Sequence, residues 1–191
     1  MATLQTGIKD YLGRHTSVVA SLDVPAVEQA IQAIIGAFDQ KRTVFTCGNG
    51  GSATTASHMA ADLGKNSAMP GKERLRVIGL ADNMSWFSAL GNDLGYENVF
   101  VEQLANFLQP GDVLIAISAS GNSPNVVKAA EYARANGGKV IGLVGFKGGK
   151  LKEIADIAVH SQIEDYGPVE DCHLMLDHIF VEALREHIRA S

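Results

Sequence analysis

The chain has 191 residues, enough for one domain with a substantial buried core, and its 46% hydrophobic and 19% charged content is that of an ordinary globular protein. A net charge of −5 argues against general nucleic-acid binding, which rests on Lys and Arg neutralising phosphates. No apolar run reaches the roughly 18 residues of a membrane span and the N-terminal stretch lacks a secretory apolar core, so a cytoplasmic protein with no nucleic-acid or membrane partner is the expectation.

Residues 1–41 read as helical, beginning with a helix over roughly residues 3–21. The stretch VPAVEQAIQAIIGAF from Val24 sets Val27, Ala30, Ile31, Ile34 and Ile35 at the spacing of a second, amphipathic helix. Asp23 is placed to cap it, and Pro25 is tolerated in its first turn. Five short apolar runs follow: TVFTCG from Thr43, RVIGLA from Arg76, DVLIAIS from Asp112, KVIGLVG from Lys139 and DIAVHS from Asp156. They are nearly continuous instead of alternating, as strands of a parallel sheet covered on both faces are.

The segments ASHMAADL, SWFSALGN, SPNVVKAAEYARAN and KLKEIA between these runs read as helices, and a long helix runs from about Val169 to Ile188. Strand and helix alternating in this way predict a doubly wound α/β sandwich with right-handed crossovers. The expected organisation is one domain over residues 1–191, with an N-terminal helical segment at 1–41 and the sandwich at 42–191. Cys47 and Cys172 lie far apart and are read as buried, reduced thiols.

In such a sheet, ligands bind beyond the carboxyl ends of the strands, where helix N-termini point. Two loops there have the composition to hold an anion. CGNGGS, Cys47 to Ser52, offers glycines that allow positive φ and close backbone approach, with a helix following. SASGNSPN, Ser118 to Asn125, offers the hydroxyls of Ser118, Ser120 and Ser123 with backbone N–H groups, a phosphate cradle without a lysine. GNGGSA has Ala53 where the dinucleotide fingerprint has its third glycine, a replacement sometimes tolerated, and no Walker-type G-K-S or G-K-T occurs. A small phosphorylated ligand suits these loops better than a dinucleotide.

His58 and Asp62 stand one helical turn apart and share a face. Far downstream, Glu170, Leu174 and His178 follow at successive fours on the final helix. Two histidines and two carboxylates make either a four-ligand site for a borderline metal such as zinc or acid/base groups for proton transfer. Each pair taken singly is also what a solvated helix face carries. His173 falls off that face and is read as structural.

CGNGGS, the helix bearing His58, GNDLG from Gly91, ISASGNS from Ile117 and the terminal HLMLDH together resemble the phosphoheptose isomerases of the sugar isomerase (SIS) domain family, over almost the whole chain. The resemblance implies a five-stranded parallel sheet flanked by helices. It also implies a homotetramer, packed through the N-terminal helices, whose active sites are shared between subunits. The implied reaction is aldose–ketose isomerisation of a sugar phosphate, sedoheptulose 7-phosphate to D-glycero-D-manno-heptose 7-phosphate, through an enediol.

On the same resemblance, Asn49, Gly50, Gly51 and Ser52 contact the sugar phosphate, Asn92 and Asp93 line the sugar pocket, and Ser118, Ala119, Ser120 and Ser123 hold the phosphate. His58 and His178 match zinc ligands, and His178 also matches the acid/base candidate. Asp62 stands where the family has a glutamate that is both ligand and base, and Glu170 where it has a glutamine touching substrate and metal. The resemblance implies Asp62 and His178 as catalytic groups, to which the charge of Glu170 adds a third that can take some of the base's work, and the implied divalent-metal set is His58, Asp62, Glu170 and His178.

These departures have physical content. The aspartate is shorter by roughly 1.5 Å, one C–C bond, and Glu170 adds a negative charge that attracts a cation or raises a neighbouring carboxylate's pKa. Ala119 replaces a threonine, losing a hydroxyl and keeping its N–H. Two other readings are a non-catalytic SIS protein that binds a bacterial replication initiator, and an isomerase or sensor for another sugar phosphate. The initiator-binding members lack the full acid/base set, whereas both histidines and two carboxylates remain here.

Overall fold

A computed structural model describes residues 3–191. Two helices come first, α1 (Leu4–Ala20) and α2 (Val24–Asp39). Thr3 caps α1, its hydroxyl accepting from the Thr6 N–H at 3.2 Å. Asp23 occupies the corresponding position before α2 but makes no capping hydrogen bond, so α2 is held by Pro25 in its first turn and by the buried row Val27, Ala30, Ile34 and Ala37.

Strand and helix then alternate: β1 (Thr43–Cys47), α3 (Gly51–Ala61) continued by a π-helical turn (Asp62–Asn66), β2 (Arg76–Gly79) and α4 (Met84–Leu94). A 3₁₀ turn (Tyr96–Asn98) and α5 (Val101–Phe107) lead to β3 (Val113–Ser118), α6 (Pro124–Ala135), β4 (Lys139–Val144), α7 (Gly149–Ile154), β5 (Ile157–His160) and α8 (Tyr166–Ala190). The five strands are all parallel, in the order β2-β1-β3-β4-β5.

Successive strand residues point to opposite faces, which divides the core in two. Val44, Ile115, Ile141 and Val159 pack with Met59 of α3, Ile34 of α2, and Leu176 and Phe180 of α8. Phe45, Leu114, Val140 and Val144 pack with Leu104 of α5, Val126 of α6 and Leu151 of α7. The layer formed by α2, α3 and α8 is the one that matters for chemistry. Tyr11 and Arg14 tie α1 to the start of α8, through Asp171 at 2.5 Å and Asp165 at 3.1 Å.

Several details differ from the sequence reading. Only the central strands are fully covered; β2, at the sheet edge, leaves Arg76 and Ile78 exposed. The connection from β2 to β3 holds the 3₁₀ turn and α5 besides α4, and α8 begins at Tyr166, ahead of Val169. Both cysteines are free and buried, and burial pushes the Cys47 thiol up to about 12. Among the described residues no single helix is long and apolar enough to cross a membrane.

Candidate active site

β1 and β3 lie side by side, and the chain leaves β1 for one edge of the sheet while β3 leads to the other. That reversal opens a crevice at the carboxyl ends of the two strands, and the two loops singled out from sequence flank it. Asn49 and Asn125 join them through reciprocal amide hydrogen bonds of 2.8 and 2.9 Å, and the Tyr96 hydroxyl donates to the Asn49 oxygen at 2.8 Å. Gly50, at φ 54°, makes the left-handed turn from which α3 starts.

The serine loop has its hydroxyls arranged around the first turn of α6. Ser123 occupies the N-cap position but makes no capping bond; its Oγ lies 3.2 Å from Ser118 Oγ. The Gly121 and Asn122 N–H groups donate to Ser118 Oγ and Ser120 Oγ, each at 3.2 Å. Asn122 Oδ1 accepts from the Lys150 N–H at 2.9 Å and so pins the loop to α7. A cavity of about 170 Å³ results, lined by Asn49, Ser52, Ile117, Ser118, Ala119, Ser120, Ser123, Tyr166 and Glu170. Hydroxyl and backbone donors at a helix N-terminus are what an anion requires.

Glu170 enters this cavity from α8 and leans over the start of α3: a Cβ added to Gly51 would stand 2.3 Å from Glu170 Oε2. The absence of a side chain at Gly51 is what admits the carboxylate.

Further along α3 and α8 a second constellation forms. His58 Nε2 lies 3.3 Å from Asp62 Oδ2 and 3.8 Å from Asp177 Oδ2. The rings of His58 and His178 meet edge-on with centroids 5.6 Å apart. One ligand atom from each of His58, Asp62, Asp177 and His178 lies within 4.8 Å of every other. Asp62 opens the π-helical turn, a device that recurs at functional sites. Asn66 Nδ2 donates to Asp62 Oδ1 at 2.6 Å, leaving Oδ2 toward His58. The short aspartate therefore still reaches the cluster.

Asp177 is fully buried and neither carboxylate oxygen has a hydrogen-bond partner. Burial first, then the charge of Asp62, pushes its pKa up to about 6, against the opposing pull of His58 and His178. Two imidazoles and two carboxylates, one of them an orphaned buried acid, form a donor set that fits a divalent cation of zinc type.

The structure thus brings His58, Asp62 and His178 together, and separately brings Asn49, Ser52, Ser118, Ala119, Ser120, Ser123 and Glu170 around one cavity. Glu170 is not among the four clustered groups; Asp177 takes that place. Asp177 escaped the sequence reading, although it follows Glu170 by seven residues, a spacing that returns to the same helix face. Asn92 and Asp93 lie exposed at the end of α4, hydrogen-bonded to each other at 2.7 Å, and do not line the serine cavity. His173 is wholly buried without a partner for either ring nitrogen, and burial pushes its pKa down to about 4.

Comparison with known proteins places the chain among sugar-phosphate enzymes. Residues 10–145 match the SIS domain family. A phosphoheptose isomerase of Helicobacter pylori (strain P12) is 35% identical over 181 residues, 94% of each chain. One from Rhodospirillum rubrum is 39% identical over 157 residues, covering 81% of this chain and 82% of its own. Among solved structures, phosphoheptose isomerase from Neisseria gonorrhoeae superposes with a TM-score of 0.89 at 28% identity, over 96% of this chain and 100% of that one.

Proposed function

The chain belongs to the SIS domain family and, within it, to the phosphoheptose isomerases, and on that footing we propose that it interconverts sedoheptulose 7-phosphate and D-glycero-D-manno-heptose 7-phosphate by moving a proton between C1 and C2 through an enediol. One observation carries the reading beyond family membership: α3 and α8 each contribute to both the serine cavity and the acid/base cluster. A ligand held by its phosphate can therefore present its far end to groups on the same two helices.

The phosphate is taken by the hydroxyls of Ser118, Ser120 and Ser123, the Ala119 N–H and the N-terminus of α6. Asn49, Gly50, Gly51 and Ser52 meet the sugar from the β1 loop. The Glu170 carboxylate, across the cavity over Gly51, repels a phosphate from the α3 end and so sets the ligand's direction. Asp62 or Glu170 removes the carbon-bound proton and His178 returns one on the opposite side. His58, Asp62 and His178 would hold a divalent cation, zinc by donor type, which when bound polarises the substrate's carbonyl and hydroxyl oxygens.

The working form is proposed as a cytoplasmic homotetramer with sites shared between subunits. Its support is the exposed row Leu4, Ile8 and Leu12 on α1, an apolar stripe at helical spacing that a subunit contact would cover. Asn92 and Asp93, exposed on α4, are assigned to a pocket completed across such a boundary.

The test is to incubate the purified protein with sedoheptulose 7-phosphate and a panel of other sugar phosphates, with and without a chelator, and to follow aldose formation. Turnover of the seven-carbon ketose supports the reading. Turnover of a different sugar phosphate alone would reassign the substrate. No turnover together with co-purification of a replication initiator would replace the enzyme by a binding protein.

A further inference from the structure

The cluster on α3 and α8 contains a carboxylate to which the proposed reaction gives no task. Asp177 points from the buried side of α8 while His178, the next residue, is exposed. An ionised acid sealed from water needs a cation or several donors, and Asp177 has no hydrogen bond to either oxygen. The groups that face it are His58 from α3, Asp62 from the π-helical turn and its neighbour His178. No lysine or arginine is among them.

His58 cannot settle the account, because the single atom Nε2 faces both Asp62 Oδ2 and Asp177 Oδ2. Two like-charged carboxylates directed at one imidazole nitrogen leave an uncompensated charge that a doubly charged ion between them would neutralise. Two nitrogens and two carboxylate oxygens from four side chains match the number and type of donors that a four-coordinate zinc-type ion takes. Glu170 is worse placed to contribute. Its carboxylate turns toward Gly51 and lines the serine cavity, away from the four clustered groups.

We propose that Asp177 is a direct protein ligand of a divalent cation in this chain, completing the set His58, Asp62, Asp177 and His178, and that Glu170 belongs to the substrate cavity instead. The proposal rests on the metal element of the functional reading and on no other part of it.

The test is titration of metal-free full-length protein with Co²⁺, followed by calorimetry and by the visible absorption of the bound ion. The wild-type chain binds Co²⁺ with a tetrahedral spectrum. Asp177→Asn, nearly isosteric, weakens binding at least about 100-fold, beyond what loss of an outer-shell partner costs. Glu170→Ala, which leaves no donor at that position, leaves affinity and spectrum unchanged. Asp177→Cys gains a thiolate-to-cobalt charge-transfer band, which arises only if position 177 touches the ion, and this variant decides the matter should Asp177→Asn fail to fold. The proposal is overturned by a wild-type chain that binds no Co²⁺, by wild-type affinity in a folded Asp177→Asn, by a cobalt-loaded Asp177→Cys without the band, or by loss of affinity in Glu170→Ala. Turnover is measured separately: cobalt binding through Asp177 in a protein inactive on every sugar phosphate would remove the isomerase reading and leave this ligand assignment standing.

Discussion

The Glu170 carboxylate occupies the space that a side chain at Gly51 would need, with Oε2 only 2.3 Å from where a Cβ would be. A negative group is welcome there, since the first turn of α3 exposes unpaired N–H groups and the positive end of the helix dipole. Gly51→Ala therefore sets helix stability against site geometry. Alanine is the better helix former by up to about 1 kcal/mol, and the atoms it displaces are the end of a flexible side chain. The expected outcome is a melting temperature equal to or above wild type, with kcat/KM on the sugar phosphate reduced at least about tenfold as Glu170 swings away, the range of one lost charge-assisted hydrogen bond. Thermal melts and steady-state kinetics on the same preparation check it; undiminished kcat/KM would detach the position of Glu170 from the reaction.

Ser123 separates substrate holding from folding. Its hydroxyl makes no capping bond to α6 and meets only Ser118 Oγ. Ser123→Ala should leave the melting temperature nearly unchanged. KM should rise by roughly 10- to 100-fold, as loss of a hydrogen bond to a charged group costs about 1.5–3 kcal/mol, with kcat little altered. A fall in kcat at constant KM would place this serine in the chemistry instead.

The acid/base groups should show the opposite pattern. His178 is exposed, so His178→Ala should spare the fold while lowering kcat by about 10²-fold or more. Asp62→Asn keeps an oxygen to accept from Asn66 but loses the charge, and should also lower kcat sharply. Thermal melts test the fold and single-turnover kinetics the chemical step; wild-type rates in His178→Ala would end its role as proton carrier.

His173 sets a pH dependence of stability. Burial holds its pKa near about 4 in the folded chain, against an ordinary 6.5. Between those values the unfolded chain binds more protons, so stability rises with pH through that window. It is fully present above the upper value and lost on acidification toward the lower one, a swing of about 3 kcal/mol at most. His173→Leu removes the titrating ring, and its melting temperature should fall less than that of wild type when the pH is lowered through this window. Parallel slopes for the two proteins would contradict the assignment.

What could be read from sequence, and what could not, follows from burial. β3 and β4 announce themselves because nearly every residue is apolar and covered. β2 reads as a strand, but its apolar residues overstate its cover, because an edge strand can carry the same VIG sequence as β4 while remaining partly exposed. The helix α5 was missed partly because Gln103, a polar residue, sits inside it fully buried, its amide donating to the Leu80 and Val99 carbonyls at 2.8 and 2.7 Å. Glycine and serine reveal the two loops, since their composition is their function. Asp177 stayed hidden for the reverse reason: a carboxylate is expected at the surface, and nothing local in the sequence marks this one as enclosed.

The paired amides of Asn49 and Asn125 join segments that are 76 positions apart in the chain. The two loops that flank the crevice are therefore tied to each other before any ligand arrives, and none of the binding energy goes into joining them. The same latch fixes the distance between the two loops, so the width of the crevice is set by the fold and not by what enters it.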